Sequence, residues 1–512
     1  MKKLPIGIQD YKDLITNDFV YVDKTKYIYD LISSGKVYFL SRPRRFGKSL
    51  TTSTLYYLFK GERELFKDTY IYDKFDFKRY PVIKISMSEV DAESKDVLNR
   101  SLLFRLKTIG KGYGIDIGID SVKLAFLFLI EELSKNDKVA VIIDEYDKPI
   151  LDNINNKEKV EEIRDALRNF YIVLKDTDPY LKFVFITGIS KFSKVGVFSG
   201  LNNLNDITLN RRYATFLGYT EEEIKLYFRD HIEEMRKELG ITEQEFWRKV
   251  REWYNGYSWD GRSFVYNPFS ILCMFSNMAF RNYWFETGSP SFLIDYIKKH
   301  EIQQLMTEDL EFDVDYFSDY EIEIAPPASF LWQAGYLTIV GTDGKFYRLD
   351  FPNLEVKKSF GRLLLVNQYY MADNQIPKLY RTIHKGFKNR NFGIVFDEIN
   401  RILSSIPYNI ASKLKSEEHY QALMLSIFWA SEIPNIPEEM SYRGRADITL
   451  IYDDSVWIIE LKKTTVEEAL KQIKERGYHK KYLDGYREIY LVGIKIDIEG
   501  RNLEEFRIEK AG

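Results

Sequence analysis

The chain has 512 residues, 45% of them hydrophobic and 15% aromatic, which is too long for one compact core and excludes a disordered polymer, so two to four domains are expected. A formal net charge of −3 supplies no global field for an acidic polymer, so any nucleic-acid site must be a local patch. The single cysteine, Cys273, excludes an internal disulfide and a cysteine-based zinc site, and a cytoplasmic chain is the simplest expectation.

The N-terminal stretch MKKLPIGIQDYKDLITND starts basic but carries no apolar segment behind it, unlike a signal peptide. The longest apolar stretch, LAFLFLI at 124–130, is far shorter than a membrane span and reads as a buried helix. A soluble protein with no membrane partner is expected. From about 36 to 218, four short apolar runs alternate with helical segments: KVYFL (36–40), YPVIKISM (80–87), KVAVIIDEYD (138–147) and LKFVFITGIS (181–190). Such runs imply a parallel sheet covered on both faces, with ligands at the carboxyl ends of its strands.

The first of those ends runs into RPRRFGKS at 42–49. A phosphate cradle needs inward backbone N–H groups at a helix N-terminus, a lysine and a magnesium-binding hydroxyl; Gly47, Lys48 and Ser49 supply the turn, the charge and the hydroxyl. Arg42 stands where the loop's first glycine is expected, so the loop by itself leaves a basic surface turn open. VAVIIDE (139–145) adds Asp144, a candidate magnesium residue, and Glu145, a candidate for polarising an attacking water. A buried strand ending at solvent in ordinary acids would look the same. VFITGISK (184–191) places Thr187 where a γ-phosphate-sensing residue would stand. Three such elements, in this order and each at a strand's carboxyl end, favour a nucleotide site.

From about 219 to 355 amphipathic helices take over, beginning with TEEEIKLYFRDHIEEMRKEL, where Thr220 and Glu223 have capping-box spacing. WYNGYSWDGRSFVYNP (253–268) is turn-rich, and FLWQAGYLTIVGTDGKFYRLDFPN (330–353) reads as a helix followed by a hairpin, a winged-helix-like pattern. The last region closes with YRGRADITLIYDDSVWIIELKK (442–463), a hairpin about Asp453-Asp454-Ser455, then the helix TVEEALKQIKERGY (465–478) and the strand EIYLVGIKI (488–496).

In that hairpin, strand alternation puts Glu460 and Lys462 on one face, and the turn folds Asp447 back beside them. Magnesium-dependent phosphodiester hydrolysis needs converging carboxylates and a cation. Asp447 and Glu460 are the candidate ligands, with the Leu461 carbonyl as a further one and Lys462 to position water. A surface hairpin with a salt bridge would share this pattern, but Glu460 interrupts the apolar run VWIIEL, where an unpaired carboxylate is costly. SEEHYQALMLSIFWA (416–430) forms a helix whose start offers Glu417 or Glu418 as another ligand, and Gln472 lies on the helix behind the hairpin. Lys463, Lys471, Lys474, Arg476, Lys480 and Lys481 either contact phosphates or form a solvated face. His419 and His479 lack the partners a zinc site needs.

The stretches IGIQDY…VYVDKTKYI, RPRRFGKS, IIDEYD, TGISKFSKVGVFSGLNN and WYNGYS resemble the AAA-ATPase-like family of bacterial and archaeal proteins, which commonly carry a C-terminal PD-(D/E)XK nuclease-superfamily domain. RGRADITL…IIELKK…EEALKQIKERGY resembles that module, with Ala446 at the pattern's leading, proline-like position. The resemblance runs through nearly the whole chain. It implies an α/β protein: a P-loop NTPase parallel-sheet domain at 1–218, a helical, winged-helix-like middle at 219–355, and a PD-(D/E)XK nuclease-like α/β domain at 356–512. It also makes Arg42 the family's own form of the loop. Lys48 and Ser49 carry over as the phosphate and magnesium residues, Asp144 as a magnesium residue and Glu145 as the catalytic base. Arg45, Phe46, Gly47, Leu50 and, more loosely, Thr187 complete the ATP site. Arg44, Arg45, Arg211 and Arg212 are candidate charge-stabilising arginines, in cis or from a neighbouring subunit, with a solvated basic role as the alternative.

ATP and magnesium are the implied cofactors, with manganese an alternative in the second site. Nucleic acid is the implied partner, DNA ahead of RNA, and a homo-oligomer is compatible. The expected activity is ATP hydrolysis coupled to phosphodiester hydrolysis. The alternatives are an ATP-driven switch whose C-terminal domain binds nucleic acid or a partner without cutting, and a scaffold in which ATP only stabilises assembly.

Overall fold

The computed structural model describes residues 1–191, 196–284, 293–294, 297, 300, 302, 304–307, 310–317, 325–433, 435, 446–483, 485 and 488–511. Two compact units emerge, one of residues 1–284 with 310–352, the other of 285–309 with 353–512. The helices and hairpin at 219–284 and 327–350, read from sequence as a middle region, thus lie in the first unit with the parallel sheet.

That sheet contains β1 (Val37–Ser41), β2 (Val82–Ser86), β3 (Val139–Asp144), β4 (Leu181–Gly188) and the short β5 (Asn205–Asp206), in the order β2-β3-β4-β1-β5, all parallel. Every residue of β1 and β3 is buried, as expected of strands covered on both faces. Each fully buried Val or Ile there contributes about 1.5–3 kcal/mol relative to exposure, so a charge at Ile142 would be expected to collapse the sheet. Because β4 lies between β1 and β3, the loop after β1 and the acids after β3 flank its carboxyl end. The apolar stretch at 124–130 is the heart of the Val122–Ser134 helix, capped by the Ser121 side chain.

Beyond the sheet, Thr220 and Thr242 each open a helix with a complete capping box, closed by Glu223 and Glu245. The Pro268–Asn277 helix follows the turn-rich stretch and buries Cys273. The Pro327–Ala334 helix and the hairpin of β7 (Thr338–Thr342) and β8 (Phe346–Asp350) form as expected. A strand not anticipated, β6 (Leu310–Asp313), adds to β8 to make a three-stranded antiparallel sheet.

In the second unit, β9 (Ile448–Tyr452) and β10 (Ser455–Lys462) form the expected hairpin. Asp453 takes a left-handed φ of 50°, which a two-residue hairpin turn requires. The Val466–Arg476 helix crosses over to β11 (Glu488–Asp497), which runs parallel to β10, and β12 (Asn502–Ala511) completes the order β12-β11-β10-β9. The Glu417–Ala430 helix is buried along its length from Tyr420 onward.

Two candidate active sites

The chain leaves β1 at Ser41 and enters the Lys48–Phe59 helix through Gly47, whose φ of 95° supplies the turn that aims the helix N-terminus at the loop. Arg45 also takes a left-handed φ, 70°, a conformation that costs a residue with a Cβ energy and clusters at functional sites. Lys48 is buried, and its Nζ donates to the carbonyls of Arg42 and Pro43, both at 2.8 Å. Burial pushes its amine down to about 8, against the charges of Asp144, Asp147 and Glu145. A cavity of about 480 Å³ opens at the loop, within the range of small-ligand sites. Arg44, Arg45, Phe46, Gly47, Lys48, Ser49 and Leu50 form one wall, with Glu145 and Asp147 also contributing. Arg45 lays its guanidinium 4.5 Å over the Phe269 ring. Arg211 and Arg212 are exposed on a separate 3-10 turn and do not line the cavity.

The acids after β3 divide their work. Asp144 is buried beneath the loop helix, where its Oδ2 accepts from the Thr52 hydroxyl at 3.5 Å and its Oδ1 from the Glu145 N–H at 3.0 Å. Glu145 has a left-handed φ of 53°, which turns it toward the cavity, and the next N–H, of Tyr146, is pinned to the Thr187 carbonyl at 3.0 Å. Burial, and then the neighbouring Asp144, raises its carboxyl above the ordinary range, the direction a general base needs.

Asp147, not singled out from sequence, also reaches the cavity wall. Its Oδ2 accepts from the Ile189 N–H at 3.0 Å, the Ser190 N–H at 2.6 Å and the Ser190 hydroxyl at 2.5 Å, while its buried Oδ1 has no hydrogen-bond partner among the described residues. The only signal for it was the third acid of IIDEYD.

Thr187 requires a correction. It is fully buried and its hydroxyl donates to the Leu40 carbonyl at 2.8 Å, so it ties β4 to β1 and does not line the cavity. Ile189, just past the end of β4, lines the cavity instead.

In the second unit the expected residues do converge. The ladder between β9 and β10 ends at Ile448–Ile459, so the next stretch of β10 presents its edge to Asp447. The Leu461 N–H donates to Asp447 Oδ2 at 2.7 Å, and the Asp447 N–H to Glu460 Oε2 at 3.3 Å. Glu460 is fully buried, Lys462 Nζ stands 3.3 Å from its Oε1, and the Gln472 side-chain amide donates to the same oxygen. Gln421 donates to the Asp447 carbonyl at 2.5 Å, a contact that sequence did not reveal because it comes from a helix remote in the chain. Burial, and then the charge of Asp447, holds the Glu460 carboxyl well above the usual range. Burial works against the Lys462 charge, but Glu460, Asp447 and Glu417 outweigh it and hold the amine above its ordinary value.

Glu417 and Glu418 separate. Glu417 accepts from the Lys463 N–H at 2.9 Å and stands 3.9 Å from Lys462 Nζ, while Glu418 is held by Ser416. Glu417 therefore does not join the carboxylates as a third metal ligand in this arrangement; Lys462 bridges it to Glu460. Among the described residues, no three His, Cys, Asp or Glu side chains stand together as a metal-holding group. The donors on hand are the Asp447–Glu460 pair and the Leu461 carbonyl. A pair of carboxylates in which burial disfavours the second charge fits a hard divalent cation that keeps several of its own waters.

Comparison with known proteins agrees with this division. Residues 5–198 match the family model described as predicted AAA-ATPase, and residues 415–506 match that of the PD-(D/E)XK nuclease superfamily. The chain is 36% identical over 533 residues to a protein of Azotobacter chroococcum mcd 1 described as an uncharacterized protein in the vnfD 5' region, covering 100% of this chain and 99% of that one.

Proposed function

Because the chain belongs to the family of predicted AAA-ATPases with a C-terminal PD-(D/E)XK nuclease-superfamily module, we propose that it hydrolyses ATP at the phosphate loop and cuts nucleic acid at the Asp447–Glu460–Lys462 site. Nucleotide state governs the cutting, and DNA is the favoured substrate. The observation that carries the reading is the fully buried Glu460, on one strand face with Lys462 and hydrogen-bonded to the backbone of Asp447. A carboxylate is stable there only with a compensating cation.

At the phosphate loop, Lys48 would reach the terminal phosphates, and Ser49 with Asp144 would hold magnesium. Glu145 takes the proton of the water that attacks the γ-phosphate. At the second site, Asp447, Glu460 and the Leu461 carbonyl would hold magnesium or manganese. A bound divalent ion there supplies Lewis acidity and acidifies water. Lys462 orients the nucleophilic water and offsets charge on the phosphate, and Gln472 fixes the Glu460 carboxylate. Water attacks phosphorus directly as the bond from phosphorus to one ester oxygen breaks and that oxygen leaves as a hydroxyl, with no covalent intermediate on the protein.

One observation favours a second reading. With Lys462 bridging Glu417 and Glu460, the site is also compatible with a domain that binds nucleic acid without cutting it, driven by an ATP switch. The deciding experiment incubates linear duplex, supercoiled plasmid, single-stranded DNA and structured RNA with magnesium or manganese, with and without ATP. Wild type runs beside Lys48→Ala and Lys462→Ala. Cutting that vanishes in Lys462→Ala and changes in Lys48→Ala supports coupled hydrolysis. Binding and ATP turnover without cutting of any substrate would establish the switch instead.

A further inference from the structure

Arg42 occupies the place of the phosphate loop's first glycine, yet it is absent from the cavity wall. It is fully buried behind the loop, with its guanidinium 3.9 Å over the Trp259 ring. Its Nη1 donates to the carbonyls of Ser41 at 2.8 Å and Thr208 at 2.9 Å, and its Nη2 to that of Tyr213 at 3.1 Å. Its backbone N–H donates to the Gly188 carbonyl of β4 at 3.2 Å. The far end of the loop meets the same aromatic group, since Phe46 packs edge-on against Trp259 and Tyr257 with ring centroids 5.3 and 4.8 Å apart. Pro43 is pressed by the C-cap of the Pro327–Ala334 helix: a Cβ on Gly335 would lie 2.7 Å from the Pro43 Cβ, so only glycine fits there.

The two residues braced in this way, Arg42 and Pro43, are the two whose carbonyls hold Lys48 Nζ. A loop built on glycine owes its shape to backbone freedom; here a planar cation with three fixed acceptors and an aromatic lid takes over that task. We propose that Arg42, clamped by Trp259, is a positioning residue for Lys48, holding the carbonyl pair that sets where the amine stands before phosphate arrives. The inference rests on the reading of this cavity as an ATP site. Arg42 touches no phosphate; it acts through the loop backbone. Tyr257 and Trp259, from the turn-rich stretch at 253–268, thereby become part of the nucleotide site although they lie outside the loop.

The test is a double-mutant cycle on the full chain, with a fluorescent ATP analogue and magnesium titrated to millimolar concentration against wild type, Arg42→Lys, Lys48→Ala and the double variant. Lysine keeps the charge but cannot reach three carbonyls and stack at once. Arg42→Lys is expected to weaken binding about tenfold when Lys48 is present and less than about twofold when it is absent, the coupling of residues that act together. An equal fold-loss in both backgrounds, or no loss in either, would overturn the proposal and leave Arg42 as packing alone. Should Arg42→Lys fail to fold, Trp259→Phe replaces it, with a smaller loss expected that again requires Lys48. Failure of the ATP reading gives a different result: wild type and Lys48→Ala then bind the analogue equally, or neither binds.

Discussion

The two sites solve the problem of a buried charge in opposite ways. At the phosphate loop, one lysine is surrounded by three acids, and its position depends on an aromatic and guanidinium brace contributed by residues far along the chain. At the second site, two carboxylates are offset by one lysine, and most of the geometry comes from a single hairpin. The first site draws its strain into backbone, with left-handed Arg45 and Glu145; the second places its cost in a carboxyl that burial and a neighbouring charge push toward its neutral form. A braced loop holds a geometry for a ligand that comes and goes, whereas the hairpin gathers two acids about one lysine. The difference makes the two sites separable by mutation.

The sharpest way to break that separation is reciprocal. Lys462→Ala is expected to lower cutting by about a thousandfold or more while leaving ATP turnover without nucleic acid within about twofold. Glu145→Gln should do the converse in the first unit, lowering ATP turnover by about 10²–10⁴-fold while the ATP analogue still binds. Were Lys462→Ala to slow ATP turnover as strongly as Glu145→Gln does, the sites would not be chemically distinct. A smaller effect sharpens the account of the hairpin. Gln472→Leu removes the amide that holds Glu460 Oε1, and the magnesium concentration needed for half-maximal cutting should rise about 10–100-fold, measured by metal titration. An unchanged metal requirement would show that Gln472 only packs.

The smallest effect lies outside both sites and shows what an ordinary surface charge does. Hydrogen bonds from Arg251 hold the Glu221 carboxyl down to about 2, against burial, with Lys225 and Tyr266 assisting. A depressed folded value contributes stability above the ordinary value of 4.5 and loses it as pH falls toward 2. Arg251 is half-exposed, so solvent screening limits the contribution to about 1 kcal/mol. Glu221→Gln should therefore lower urea stability by about that amount at pH 7, with the gap narrowing as pH is taken below 4. A gap that widened in acid would contradict the ion-pair account.

What was legible in the sequence follows from how local each feature is. The four main strands of the parallel sheet, the capping box at Thr220 and the β9–β10 turn are written in adjacent residues, and all formed where expected. Glu460 and Lys462 could be placed on one face because strand alternation has a fixed period. Thr187 could not be read in the same way. β4 is buried on both faces, so alternation gives no sign of which side meets the cavity, and the hydroxyl went to a neighbouring strand. Asp147, Gln421 and the Arg42–Trp259 stack arise from long-range packing, for which no spacing rule exists. The short strands β5 and β6 and the C-terminal β12 escaped notice because none carries a long apolar run.

Cys273 carries a practical consequence. The chain has one thiol, and it is buried in the Pro268–Asn277 helix, whose Phe269 and Leu272 border the ATP-site cavity. A thiol reagent therefore has a single target in the whole polypeptide, and it can react only when that part of the first unit opens. Labelling rate becomes a clock for opening of the first unit alone, silent to the second, and slowing of that clock by ATP would report nucleotide binding without any added probe.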